Sequence, residues 1–170
     1  MLDVVAGLPV HPLIVHATVV LVPTAALAVA MAAVWPRFRR WAFALPLLAA
    51  LAALALVPLT ERSGEALEAR VGETPLVEAH AELGEGLLVW VLPLALVAGA
   101  TFWLAVRERR TAARASGVAP ARWITVTLAV VALVVAGGTV AQTIAIGHSG
   151  ATAAWSDVDT STPAGGADDE

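Results

Sequence analysis

The chain has 170 residues, 59% of them hydrophobic and 14% charged, too apolar for a soluble domain of this length, whose composition runs to about 25% charged residues. It contains no cysteine, which excludes disulfides, thiolate zinc sites, iron–sulfur clusters and covalently attached c-type haem. The formal net charge of −4 conceals a strong segregation of sign along the chain.

The first element opens with GLPVHPLIVHATVVLVP, which sets His11 and His16 at the mouth of a long apolar run. A secretion signal would carry positive charge ahead of that run. Here Asp3 precedes it and Arg37, Arg39 and Arg40 follow it, so a retained span is expected. Four runs free of Asp, Glu, Lys and Arg reach the length of about 20 residues that a bilayer core demands. They cover residues 13–34, 41–59, 86–106 and 123–146. Lipid offers the backbone no hydrogen-bond partner, so each run is expected to be a helix. Pro23, Pro46 and Pro93 fall inside the first three runs, where membrane helices accept them with a kink. Gly137 and Gly138 in the fourth would let a neighbouring helix come close.

The third helix is expected to begin well before its apolar run. Thr74 and Pro75 read as a cap and first helical residue. The helix then passes through LVEAHAELGEGLLVW, with Glu78, Glu82 and Glu85 on one face and His80, Gly84, Leu87 and Val91 on another. Residues 156–170 are small and acidic, and are expected to be a disordered tail after a four-helix domain spanning 1–155.

Charge sets a direction. Arg37, Arg39 and Arg40 lie between runs one and two; Arg107, Arg109, Arg110, Arg114 and Arg122 lie between runs three and four. Those eight of the ten arginines leave only Arg62 and Arg70 on the other side, so the positive-inside rule makes the first side cytoplasmic and puts both termini outside. Trp35, Trp41 and Trp123 would mark the inner interface. The expected fold is all-α: a four-span transmembrane antiparallel helix bundle in a bacterial plasma membrane, its lipid-facing sides in contact with the bilayer.

This topology brings His11, His16, His80 and His148 to one, outer, level. Polar residues within a span are functional candidates by default, and imidazole suits transition metals and haem iron. A haem b between facing helices would take His16 with His80 or His148, in a slot opened by Ala17, Gly84 and Gly138. No histidine lies near the inner side, so at most one haem is expected. A bare metal ion would draw on His11, His16, His80 and His148 with Glu61, Glu65 or Glu82, supported by Ser149.

The elements HPLIVH, SGEALEARV followed by EAHAELGEGLL, and IGHSGATAAW resemble a widespread family of small bacterial four-helix membrane proteins of unknown function. The resemblance runs to about Trp155. It would map recurring family positions onto His11, His16, His80, His148 and Gly150. Where relatives often carry phenylalanine and proline after the second histidine, this chain has Ala17 and Thr18. Some relatives adjoin redox modules, which implies haem or electron transfer, with redox proteins on the outer side as partners.

The alternative expectation is a structural or interaction subunit whose histidines only join helix ends, for instance His16 to a backbone carbonyl or to Gln142. A transporter is disfavoured, because no ionisable residue falls at mid-span and Thr139, Gln142 and Thr143 serve equally as helix–helix contacts. No nucleophile–base pair or phosphate loop points to an enzyme, since Ser149 beside His148 is only a sequence neighbour. Nucleic-acid binding is not expected, the arginines being explained by topology.

Overall fold

The computed structural model describes residues 4–5, 7–72, 74–113 and 121–156. Arg114 and the acidic tail beyond Ser156 lie outside the described residues. Two short strands, β1 (Val4–Val5) and β2 (Leu8–Pro9), pair antiparallel around Gly7, whose φ of 83° suits glycine. Everything after them is helical: α1 (Val10–Val34), α2 (Pro36–Ala42), α3 (Leu45–Val71), α4 (Pro75–Glu85), α5 (Leu87–Ala113) and α6 (Arg122–Trp155).

Four of these segments are long and apolar enough to cross a membrane: α1, α3, α4 with α5, and α6. Around the bundle α1 packs on α3 and α6, and α5 packs on the same two, so α3 and α6 occupy opposite corners. The bundle is antiparallel and all-α. One end carries most of the arginines, and the other carries the histidines with Arg62 and Arg70.

The second helix departs from its sequence expectation at both ends. Residues 36–42 form the separate α2, started by Pro36 at its first position. The chain then bends at Phe43, whose φ of 46° is a left-handed conformation unusual for an aromatic residue. Its ring is held in place by Phe102, with centroids 5.1 Å apart, and by the Arg109 guanidinium 3.6 Å from its centroid. Pro46 therefore lies in the first turn of α3, where its missing N–H breaks no bond, and Pro58 is the proline inside that helix. At the other end α3 runs on through Glu61 and Glu65 to Val71. Helix α6 likewise continues past Ile146 to Trp155. Its 34 residues span about 50 Å at 1.5 Å per residue, against ~30 Å of hydrocarbon. The histidine end thus stands at and above the membrane edge.

Thr74 caps α4 as its sequence indicates: Val77 N–H donates to Thr74 Oγ1 at 3.3 Å, with Pro75 next in line. Helix α5 follows at Gly86 with hardly a break.

The interior is built mostly from small residues. Ala25, Ala26, Ala50, Ala53, Ala98 and Ala132 are fully buried beside Val22, Val29, Val57, Val91 and Leu94. Lipid tails are as apolar as leucine, so burial alone drives little association, and close backbone approach between small residues supplies the dispersion instead. The large side chains Val20, Leu27, Leu96, Val130 and Ile144 point outward.

Candidate functional site

At the histidine end, α1 and α3 are joined by a ladder of polar contacts. The Thr18 and Thr60 hydroxyls meet at 2.7 Å. One and a half to two turns nearer the helix start, His11 Nδ1 lies 3.2 Å from the Thr60 carbonyl oxygen and 3.0 Å from Ser63 Oγ. A carbonyl only accepts, so Nδ1 carries the hydrogen and Nε2 keeps the lone pair of the neutral ring. Ser63 Oγ in turn donates to Thr60 O at 2.8 Å. The ring rests on Gly64, where a Cβ would come within 3.2 Å of His11 Cε1.

The α4–α6 seam repeats this arrangement. His80 Nδ1 lies 2.9 Å from Ser149 Oγ. Ser149 Oγ donates three residues back, to Ile146 O at 2.9 Å, so its lone pair receives the His80 Nδ1 hydrogen. The ring rests on Gly150, where a Cβ would come within 2.9 Å of His80 Cε1. Each seam therefore sets one half-buried imidazole on a Ser-Gly pair of the neighbouring helix, with the same nitrogen engaged. Gln142 Nε2 reinforces the second seam by donating to Leu83 O at 2.6 Å. His80 is within electrostatic reach of His11, and Glu61 is within reach of Glu65 and Glu85.

The other candidates are placed differently. His16 is exposed, its Nδ1 donating to Pro12 O one turn back in its own helix. His148 is also exposed, as are Glu65 and Glu82. The four histidines thus do not converge as one group: His11 and His80 turn inward, and His16 and His148 turn away. Among the described residues no three His, Asp or Glu side chains are grouped as metal ligands would be. Glu61 is half-buried and its Oε1 has no hydrogen-bond partner among the described residues. The slot expected at Gly138 is filled by the Trp90 ring, and Ala17 faces outward. A cavity of about 20 Å³ borders His11 beside Ser63 and Leu67, room for one water.

The opposite end holds a feature that the sequence shows only as charge. Arg39 is 3% exposed. Its Nη1 donates to Ala32 O at 2.7 Å and Ala33 O at 3.3 Å, satisfying carbonyls at the end of α1. Its Nη2 is paired with Glu108 of α5. Arg109 Nη2 donates to Arg40 O at 2.7 Å, a second tie between α5 and α2. The one signal in the sequence was Glu108 itself, the sole acid among the arginines of that side.

Residues 7–162 match the family described as "Predicted membrane protein (DUF2231)". The chain belongs to that family. No curated protein and no solved structure matches it. The DUF2231 match covers both halves of each seam, from the opening histidines to the Ser-Gly pair near the end of α6. The expected membership of a family of small four-helix membrane proteins of unknown function is thus borne out.

Proposed function

We propose that the histidine end binds a haem b, with His11 and His80 as axial ligands through Nε2, and that the protein serves one-electron transfer at the outer face of a bacterial plasma membrane. The observation that carries this reading is that two half-buried imidazoles each have Nδ1 engaged by a neighbouring helix. A ligating imidazole almost always donates its other ring hydrogen to a fixed acceptor, which sets both tautomer and ring plane. His11 and His80 each do so while the Nε2 lone pair is kept. Haem iron can take two imidazole ligands, and two half-buried histidines with Nδ1 engaged stand at this end. Insertion has to part the two seams at this end of the bundle. The excess of arginines at the opposite end supports an outward-facing site, with a redox protein as the partner.

A second reading is favoured by Gly64 and Gly150: each ring packs so closely on its glycine that His11 and His80 would serve only to join helices. Titrating the detergent-purified protein with hemin separates the two. The haem reading expects a Soret band of a six-coordinate, bis-imidazole centre at one equivalent per chain, lost in His11→Ala and in His80→Ala. Saturation absent from wild type, with neither zinc, copper nor cobalt taken up, leaves the joining role.

A further inference from the structure

The chain repeats one plan twice. Each half enters as a helix from the histidine end, turns at a run of arginines and returns as a second helix: α1, α2 and α3 in one half, α4 with α5 and α6 in the other. The interior repeats in register. Val22, Ala25, Ala26 and Val29 of α1 are buried, and so are Val91, Leu94, Ala95 and Ala98 of α5, each displaced by the 69 positions that also separate Arg39 from Glu108. His80 lies at that same displacement from His11. Ala132, Ala136 and Thr139, the buried residues of α6, precede Ser149 by the same steps as Pro46, Ala50 and Ala53 of α3 precede Ser63. Each serine bonds the imidazole of its own half and the carbonyl three residues back. Helix α1 thus corresponds to α5 and α3 to α6, which fits the bundle, where α3 and α6 hold opposite corners. Such parallel repeats are related by an axis along the membrane normal.

The ties between helices are spread unevenly over this plan. At the histidine end the bonds of both seams, Thr18 with Thr60, and Gln142 with Leu83 all stay inside one half. Across the halves at this level stand the carboxylates of Glu61 and Glu85, within electrostatic reach of one another. At the arginine end the bonds cross. Arg39 pairs with Glu108, Arg109 donates to Arg40 O, and the Phe43 ring packs on Phe102 with the Arg109 guanidinium over its face. Between the two ends the halves meet through small apolar side chains, whose contacts in lipid rest largely on dispersion. One end is therefore bonded shut across the halves, while the other faces like charge across them.

We infer that the two halves turn as rigid arms about the arginine end, opening between His11 and His80 to admit a flat ligand and closing on both of its faces. The identity of that ligand rests on the haem reading above; the hinge does not. Each seam moves with its own arm, so each imidazole keeps its tautomer while the gap between them changes. The two arms bring equivalent donors to the two faces of a porphyrin, which are themselves alike.

Double electron–electron resonance on the full chain in detergent tests this. The chain has no cysteine of its own, so pairs of spin labels can be set on exposed residues alone. Arg62→Cys with His148→Cys spans the halves at the histidine end, Arg37→Cys with Arg110→Cys spans them at the arginine end, and Glu78→Cys with His148→Cys lies within one half. The first and third pairs share a label on α6, which controls for the motion of the label. Without hemin, the first pair should give a distance distribution at least twice as broad as either of the others. Hemin should narrow the first to the width of the others and leave those unchanged. A broad first pair in a protein that takes up no hemin keeps the hinge and removes the haem reading. Equal widths for all three pairs before hemin, breadth within the one half, or a Soret band without narrowing overturns the proposal.

Discussion

The Trp90 ring of α5 lies against Gly138 of α6 so closely that a Cβ on Gly138 would stand 2.0 Å from Trp90 Cζ3. The glycine lets the two helices share one level of the bundle, which a side chain would force apart. Gly138→Ala should destabilise the protein by about 1–3 kcal/mol, the usual cost of overpacking. Trp90→Leu in the same chain should recover most of that loss. Unfolding in mixed micelles measures both; strictly additive losses would show that the two positions do not press on one another.

The two seams yield a paired expectation. Ser149→Ala removes the acceptor that orients the His80 ring and should weaken hemin binding by about 10–100-fold, as loss of such outer partners does, whereas Ser63→Ala leaves His11 the Thr60 carbonyl and should weaken it less. His16→Ala should leave the affinity at its wild-type value, because that ring is exposed and bonded within its own helix. A large effect of His16→Ala in the hemin titration would contradict the assignment of His11 and His80.

Breaking the arginine-end pair should be far worse than deleting it. Glu108→Ala strands the Arg39 charge and should cost about 3–5 kcal/mol, whereas Arg39→Met with Glu108→Met should lie within ~1–2 kcal/mol of wild type, or above it. Denaturation of the single and double variants gives the comparison. Equal losses would mean that the bonds from Arg39 to Ala32 and Ala33, and not the ion pair, carry the stability.

At Thr74 the expectation is local. Thr74→Ala removes the oxygen that accepts from Val77 N–H, and should cost ~1 kcal/mol. Amide exchange should quicken at Val77 and its neighbours in α4 while the apolar core of α5 stays protected. Thr74→Ser should restore the slow exchange.

The sequence by itself determined the four spans and the crowding of eight arginines at the end away from the histidines, because a hydrocarbon core admits only long apolar helices and leaves charge at the edges. It also determined the start of α4, since Thr-Pro at a helix entrance acts through bonds between near neighbours. It was nearly silent on which histidine faces inward. Residues 11 and 16 are five positions apart, about 140° around a helix, so one neighbour cannot hold both. The one hint is Thr18, seven residues after His11 and so on its face of the helix, but α1 is otherwise apolar all round and Thr24 lies elsewhere on it. Only packing against α3 turned His11 to Ser63 and Gly64 and left His16 outside. The bend at Phe43 was hidden for a like reason: it rests on contacts with Phe102 and Arg109, more than fifty residues away. The pairing of Arg39 with Glu108 joins helices 69 residues apart in the chain. Tertiary structure alone decided it, because composition reports how many charges an end of the bundle holds but not which of them the neighbouring helices enclose.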